Sequence, residues 1–115
     1  MDRAAIQKWF SALTQHQKVI ALLIIMREIT IVMRTISITY PNDSETRWRL
    51  AYHLSEMNHA FTQAAWAMME NRSTYPDNVL IEIVLEQDHY PEIAADCRYV
   101  MDEAMRFLNN ERWMG

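Results

Sequence analysis

Apolar side chains recur at intervals of three and four residues along most of the chain, which is the spacing of one α-helix face. The most regular stretch runs from Ser44 to about Asn71, and its apolar positions are Leu50, Leu54, Met57, Phe61, Ala64 and Met68. A second stretch runs from Thr14, which with Gln17 has the spacing of a capping box, to about Thr39. Its core positions are Leu22, Ile25, Met26, Ile29, Met33 and Ile36. The pattern therefore predicts two long helices.

Three shorter stretches have the same spacing. Near the N-terminus, Asp2 is placed to cap a helix whose apolar positions are Ile6, Trp9, Phe10 and Leu13. A stretch from Pro76 to about Asp88 is predicted to bury Val79, Leu80, Ile83 and Val84. A stretch from Pro91 to about Asn110 is predicted to bury Ile93, Cys97, Val100, Met101, Ala104 and Leu108. Because short connections make successive helices antiparallel neighbours, we predict an all-α fold in one domain, residues 1–115: a small up-and-down four-helix bundle with an additional short N-terminal helix.

Each of the three prolines follows a tyrosine, at positions 40–41, 75–76 and 90–91. Proline suits the first turn of a helix because it lacks the N–H that would have no partner there, so each pair is predicted to mark a helix start. Two stretches also permit a strand. Ile29–Tyr40 is rich in β-branched residues and ends in an alternating pattern, and Val79–Leu85 is a short apolar run.

Composition supports a helical fold and narrows the function. The single glycine is Gly115 at the end of the sequence, so the turns of a β-sandwich and the glycine-rich loops that bind nucleotides lack the residue they need. Cys97 is the only cysteine, which excludes an internal disulfide and suits a reducing compartment, so we expect a cytoplasmic protein. Its place among core positions predicts an inert thiol. The longest apolar run, Val19 to Met26, is much shorter than the ~20 residues that cross a membrane, and we expect no membrane association.

Charge is unevenly divided along the chain. The net charge of −4 argues against nucleic acid as a partner. Residues 1–50 carry a net charge of +3, whereas residues 51–115 carry −7. We predict that the two halves pack against each other and partly neutralise each other.

Residue types that carry out chemistry are few. Two Glu-x-x-His pairs, Glu56 with His59 and Glu86 with His89, have the spacing that binds metal ions in ferritin-like bundles. At about 100° per residue both pairs point away from the predicted core, so a metal-binding bundle is kept as the alternative interpretation. His53 lies at the edge of the core, where we expect it to hydrogen-bond a carbonyl or carboxylate. We predict no catalytic residues and no cofactor; a small-molecule pocket between the helices is a weaker alternative.

Some large apolar residues lie where one bundle would not bury them. On the Thr14 helix, opposite the core stripe, three isoleucines recur every seven residues: Ile24, Ile31 and Ile38. On the Ser44 helix the outward aromatic residues are Trp48, Tyr52 and Trp66. Either another helix of this chain or another molecule covers them, and Trp113 is a further candidate anchor. We predict a non-catalytic helical interaction or regulatory protein, a homodimer or the partner of another protein, with these six residues at its interface.

Overall fold

The computed structural model describes residues 2–110, which form five α-helices and one short 3-10 turn. The helices are α1 (Arg3–Ser11), α2 (Gln15–Thr39), α3 (Glu45–Met69), α4 (Asp77–Leu85) and α5 (Ala94–Asn109), and the 3-10 turn is Pro91–Ile93. The predicted all-α fold is confirmed, and both stretches that also permitted a strand are helical. No helix in this part of the chain combines the length and hydrophobicity that crossing a membrane requires.

Side chains cap the first three helices as their sequences predict. The Asp2 carboxylate accepts a hydrogen bond from the backbone of Ala5 at 2.7 Å, and Thr14 forms the predicted capping box that starts α2. The prediction that Pro41 starts a helix is wrong. Its carbonyl accepts the Ser44 N–H at 3.0 Å, and Ser44 caps α3 instead, because its hydroxyl can accept the N–H of the third helical residue.

Polar contacts between helices define the topology. Asn58 of α3 donates to the Met26 carbonyl at 3.4 Å and Gln15 donates to the Met68 carbonyl at 3.5 Å, so the two contacts together show that α2 and α3 are antiparallel. Lys18 and Asp77 form an ion pair at 2.8 Å that places the start of α4 beside the start of α2. Arg49 pairs with Glu92 and so places the start of the α5 segment beside the start of α3. Helices α2 to α5 therefore run alternately up and down, as predicted.

The short N-terminal helix packs across α4. Arg3 pairs with Glu82, and the Gln7 amide donates to the same carboxylate at 2.7 Å. Underneath, Ile6 and Phe10 are fully buried in the common core. The additional helix of the sequence prediction is therefore an integral part of the bundle.

One continuous core receives side chains from all five helices. Its largest fully buried members include Phe10, Leu22, Phe61, Ile81 and Met101. The prediction that Val79 is buried is wrong: it is exposed, and its place is taken by Ile81. The buried residues of α4 are Leu80, Ile81, Val84 and Leu85, which are alternately one and three positions apart. Val79 lies outside this buried face of the helix.

Candidate interaction surfaces

The predicted isoleucine seam of α2 is divided by the packing of α5 along this helix. Ile24 is only 7% exposed and belongs to the core of this chain, so it is not part of an exposed face. Ile31 is exposed, and Ile38 is 79% exposed. The difference arises because a helical pattern gives the direction of a side chain but not how far the neighbouring helix extends over it.

The exposed part of the seam belongs to a wider stripe that we call the outer stripe of α2. Its members, spaced by three or four residues, are Leu23, Arg27, Ile31, Arg34 and Ile38. Arg27 pairs with the neighbouring Glu28 at 3.1 Å. Within residues 2–110, Arg34 takes part in no ion pair. The stripe is thus apolar and basic, and it contains no acidic residue.

The three predicted outward aromatic residues of α3 are left exposed by the part of the chain that the structure describes. Trp48 is 71% exposed, Tyr52 70% and Trp66 56%. Trp48 and Tyr52 are neighbours one helical turn apart, whereas Trp66 lies 18 residues from Trp48, or about 27 Å along the helix. The aromatic residues therefore form two separate patches rather than one face.

Each patch adjoins a groove between α2 and α3. At one end Trp48 lines a groove with Ser37 of α2. At the other end Trp66 is three residues from the exposed Met69, which lines a second groove. The residues lining that groove are Gln15, His16, Val19, Ile20, Leu23, Met68 and Met69.

The last helix presents an exposed stripe that the sequence analysis missed. We call it the outer stripe of α5, and its members are Asp96, Tyr99, Glu103 and Phe107. Tyr99 and Phe107 are exposed, and Glu103 pairs with Arg106 on the same helix. The sequence does indicate this stripe, because its four residues are three or four positions apart, as are the buried residues of α5. The two sets lie on different sides of the helix.

The four residues of the metal-binding alternative all lie exposed at the surface. Glu86 and His89 do not share a helix, because α4 ends at Leu85 and Glu86 follows as its C-terminal cap. Among residues 2–110, no three histidine, cysteine or acidic side chains come together in a way that could hold a metal ion. The arrangement does not bring Glu56 and His59 into a common ligand set with the second pair.

His53 is half-buried and engaged, as predicted for a boundary histidine. Its Nε2 lies 2.8 Å from the Oε1 of Gln87, which accepts the hydrogen bond, and its ring stacks on Tyr90 with 3.7 Å between centroids. Burial lowers the pKa of His53, and the charge of Arg49 lowers it further. The hydrogen bond from His53 to Gln87 opposes this shift without cancelling it. At neutral pH this ring is therefore a neutral structural element between α3 and the loop after α4.

Cys97 is buried in the core. Burial raises the pKa of its thiol to about 12, so the thiolate that would act as a nucleophile does not form near neutral pH. The predicted burial of Cys97 in the core is confirmed.

The remaining predicted anchor, Trp113, lies outside the described residues. Comparison of the chain with protein-family models, with curated proteins and with solved structures gave no match. What the protein does is therefore inferred from the chemistry and exposure of its own residues.

Proposed function

We propose that this protein is a non-catalytic helical interaction protein, and that its first partner is a second copy of itself. One observation carries the proposal: residues 2–110 leave large apolar side chains exposed on the long helices, with Ile38, Trp48 and Tyr52 each at least 70% exposed. Single exposed apolar residues are ordinary, but clusters of them rimmed by polar residues mark sites of protein–protein contact.

The type of exposed residue supports this proposal. Tryptophan, tyrosine and arginine dominate the binding energy of protein interfaces, because each brings a large contact area together with a polar group. Trp48 and Tyr52 form such a pair on α3, and the outer stripe of α2 adds Arg27 and Arg34 between its apolar residues. These surfaces have the composition of interface centres.

The single thiol and the half-buried histidine are used for packing, which favours binding over catalysis at these two positions. The Cys97 thiol is buried and protonated, and His53 is hydrogen-bonded and stacked. A free thiol in the core also suits a reducing compartment, and we place the protein in the cytoplasm on that ground.

The test is the mass of the untagged protein in solution, measured by light scattering and by sedimentation equilibrium over a wide range of concentrations. We expect a species of twice 13.7 kDa whose population grows with concentration. A mass of one chain at every concentration would show that self-association is wrong.

A further inference from the structure

We infer that the second copy docks on the face made by α2 and α5, so that the outer stripe of α2 in each molecule packs on the outer stripe of α5 in the other. This inference rests on the proposed self-association and assigns its surface. It is carried by a match in register and charge between the two stripes.

The first step is the relative height of the helices. The Asn58 amide donates both to the Met26 carbonyl at 3.4 Å and to the Thr30 hydroxyl at 3.3 Å, so it lies level with the turn between them. Arg49 lies nine residues earlier on the antiparallel α3, which places it level with about position 37 of α2. Because Arg49 binds Glu92, the α5 segment begins level with the last turns of α2.

The second step follows from antiparallel geometry, in which each residue further along α5 corresponds to one residue back along α2. The four members of the outer stripe of α5 then lie within about one residue of the height of four members of the outer stripe of α2, and Ile38 has no counterpart. The matched residues are Asp96 and Arg34, Tyr99 and Ile31, Glu103 and Arg27, and Phe107 and Leu23. Each acidic residue lies level with a basic one, and each aromatic residue lies level with an aliphatic one.

The third step is symmetry. A two-fold axis that runs between α2 and α5, parallel to both, keeps every height unchanged and places α2 of one copy opposite α5 of the other. Arg34 then faces Asp96 of the second copy, and Ile31 faces Tyr99 of the second copy. Each contact occurs twice, so the surface is self-complementary and closes as a dimer.

Charge favours this arrangement over the other two-fold arrangement, in which each helix packs on its own counterpart. If α2 packed on α2, Arg27 and Arg34 of one copy would face the same two arginines of the other, which opposes association. If α5 packed on α5, Asp96 and Glu103 would repel in the same way. Only α2 on α5 pairs opposite charges.

The charged groups are available for a partner. Within residues 2–110, neither Arg34 nor Asp96 takes part in an ion pair, although they lie at the same height on neighbouring helices. The other two matched charges are held by local pairs whose arginines are exposed, Arg27 with Glu28 and Arg106 with Glu103. Such surface pairs contribute little and exchange readily.

The test is a charge swap measured by sedimentation equilibrium. We expect Arg34→Glu alone and Asp96→Arg alone each to raise the dimer dissociation constant by about tenfold or more, because each creates two like-charge contacts. The combined variant restores opposite charges and should return the constant to near its natural value. Glu56→Arg, a charge reversal at an exposed position of α3, is the matched control and should leave the constant unchanged. Circular dichroism checks that every variant keeps its helix content.

The outcomes separate this inference from the proposed function. If the natural chain forms a dimer that both single charge variants leave intact and that Trp48→Ala breaks, the second copy sits on α3, and this inference is overturned while the proposed function stands. Weakening by both single variants without rescue in the combined variant also overturns the pairing. A natural chain that stays monomeric overturns the proposed self-association itself.

Discussion

His53 joins two parts of the chain that are distant in sequence. It donates to Gln87, stacks on Tyr90 and lies near Arg49, whose guanidinium is 5.5 Å from the Tyr90 ring centroid. Protonation would keep the hydrogen bond to Gln87, since Nε2 carries a proton in both states. It would, however, place a charge in a half-buried position beside a second cation, and this is the cost that lowers the pKa of His53.

This environment makes the stability of the fold depend on pH. The pKa of His53 in the folded chain lies below its ordinary value of 6.5, so the unfolded chain binds more protons as the pH falls through that value. We expect the free energy of unfolding from urea titrations to be lower at about pH 5.5 than at about pH 7.5. His53→Gln should reduce this difference, whereas His59→Gln, an exposed change on the same helix, should keep it. An unaltered pH profile in His53→Gln would contradict the assignment.

The residue scale also shows where prediction from sequence stops. The edge position of His53 follows from its angle on α3, and of the two predicted kinds of partner, a carbonyl or a carboxylate, the structure shows the side-chain carbonyl of Gln87. The identity of that partner could not be predicted, because the sequence places Gln87 within a helix from Pro76 to about Asp88. In the structure α4 ends at Leu85, the chain turns back towards α3, and Gln87 is buried.

At the scale of single helices, features that depend on a few adjacent residues can be predicted from the sequence, whereas features that depend on a neighbouring helix cannot. Asp2, Thr14 and Ser44 cap their helices, because a cap needs only a side-chain oxygen and the next few N–H groups. The sequence misplaces Ile24 and Val79, because their burial depends on which neighbouring helix covers each position. The spacing of apolar residues gives the buried face of a helix to within about one residue. It does not show how far a neighbouring helix extends over that face.

The end of α4 provides a test at this scale. Gln87 is buried, and its amide nitrogen donates to the carbonyls of Ile83 at 2.9 Å and Val84 at 3.0 Å, groups that the helix end leaves without a partner. Gln87→Ala removes these bonds and leaves His53 without its acceptor. We expect the free energy of unfolding to fall by about 1–3 kcal/mol in urea titrations.

The matched control for that change is Gln63→Ala, an exposed glutamine on α3. It should alter the free energy of unfolding by less than about 0.5 kcal/mol. Equal effects of the two substitutions would show that Gln87 does not cap α4.

At the scale of the whole molecule, the uneven charge along the sequence is resolved by packing. Arg3 with Glu82, Lys18 with Asp77, and Arg49 with Glu92 each join a cation of the first half to an acid of the second. The predicted neutralisation between the halves is confirmed. The charges that these ion pairs between the two halves do not use include the matched set on the outer stripes of α2 and α5. The composition alone could not locate that set.

A contact between copies would also show in thermal unfolding. Because a dimer that forms only from folded chains stabilises the folded state by mass action, the Tm should rise with protein concentration. Differential scanning calorimetry of the natural chain should show this rise, and Arg34→Glu should flatten it. A Tm that does not depend on concentration in the natural chain would contradict a dimer of folded molecules.

The separation of the aromatic patches from the outer stripes has one more consequence. In a dimer joined through α2 and α5, α3 lies on the flank of each molecule, and the pair Trp48 and Tyr52 is presented twice per assembly. A ligand with two matching sites, tethered by a linker long enough to span them, would gain avidity that a single-site ligand lacks. Dimerisation would therefore make the protein a bivalent scaffold, with one Trp48–Tyr52 patch on each molecule.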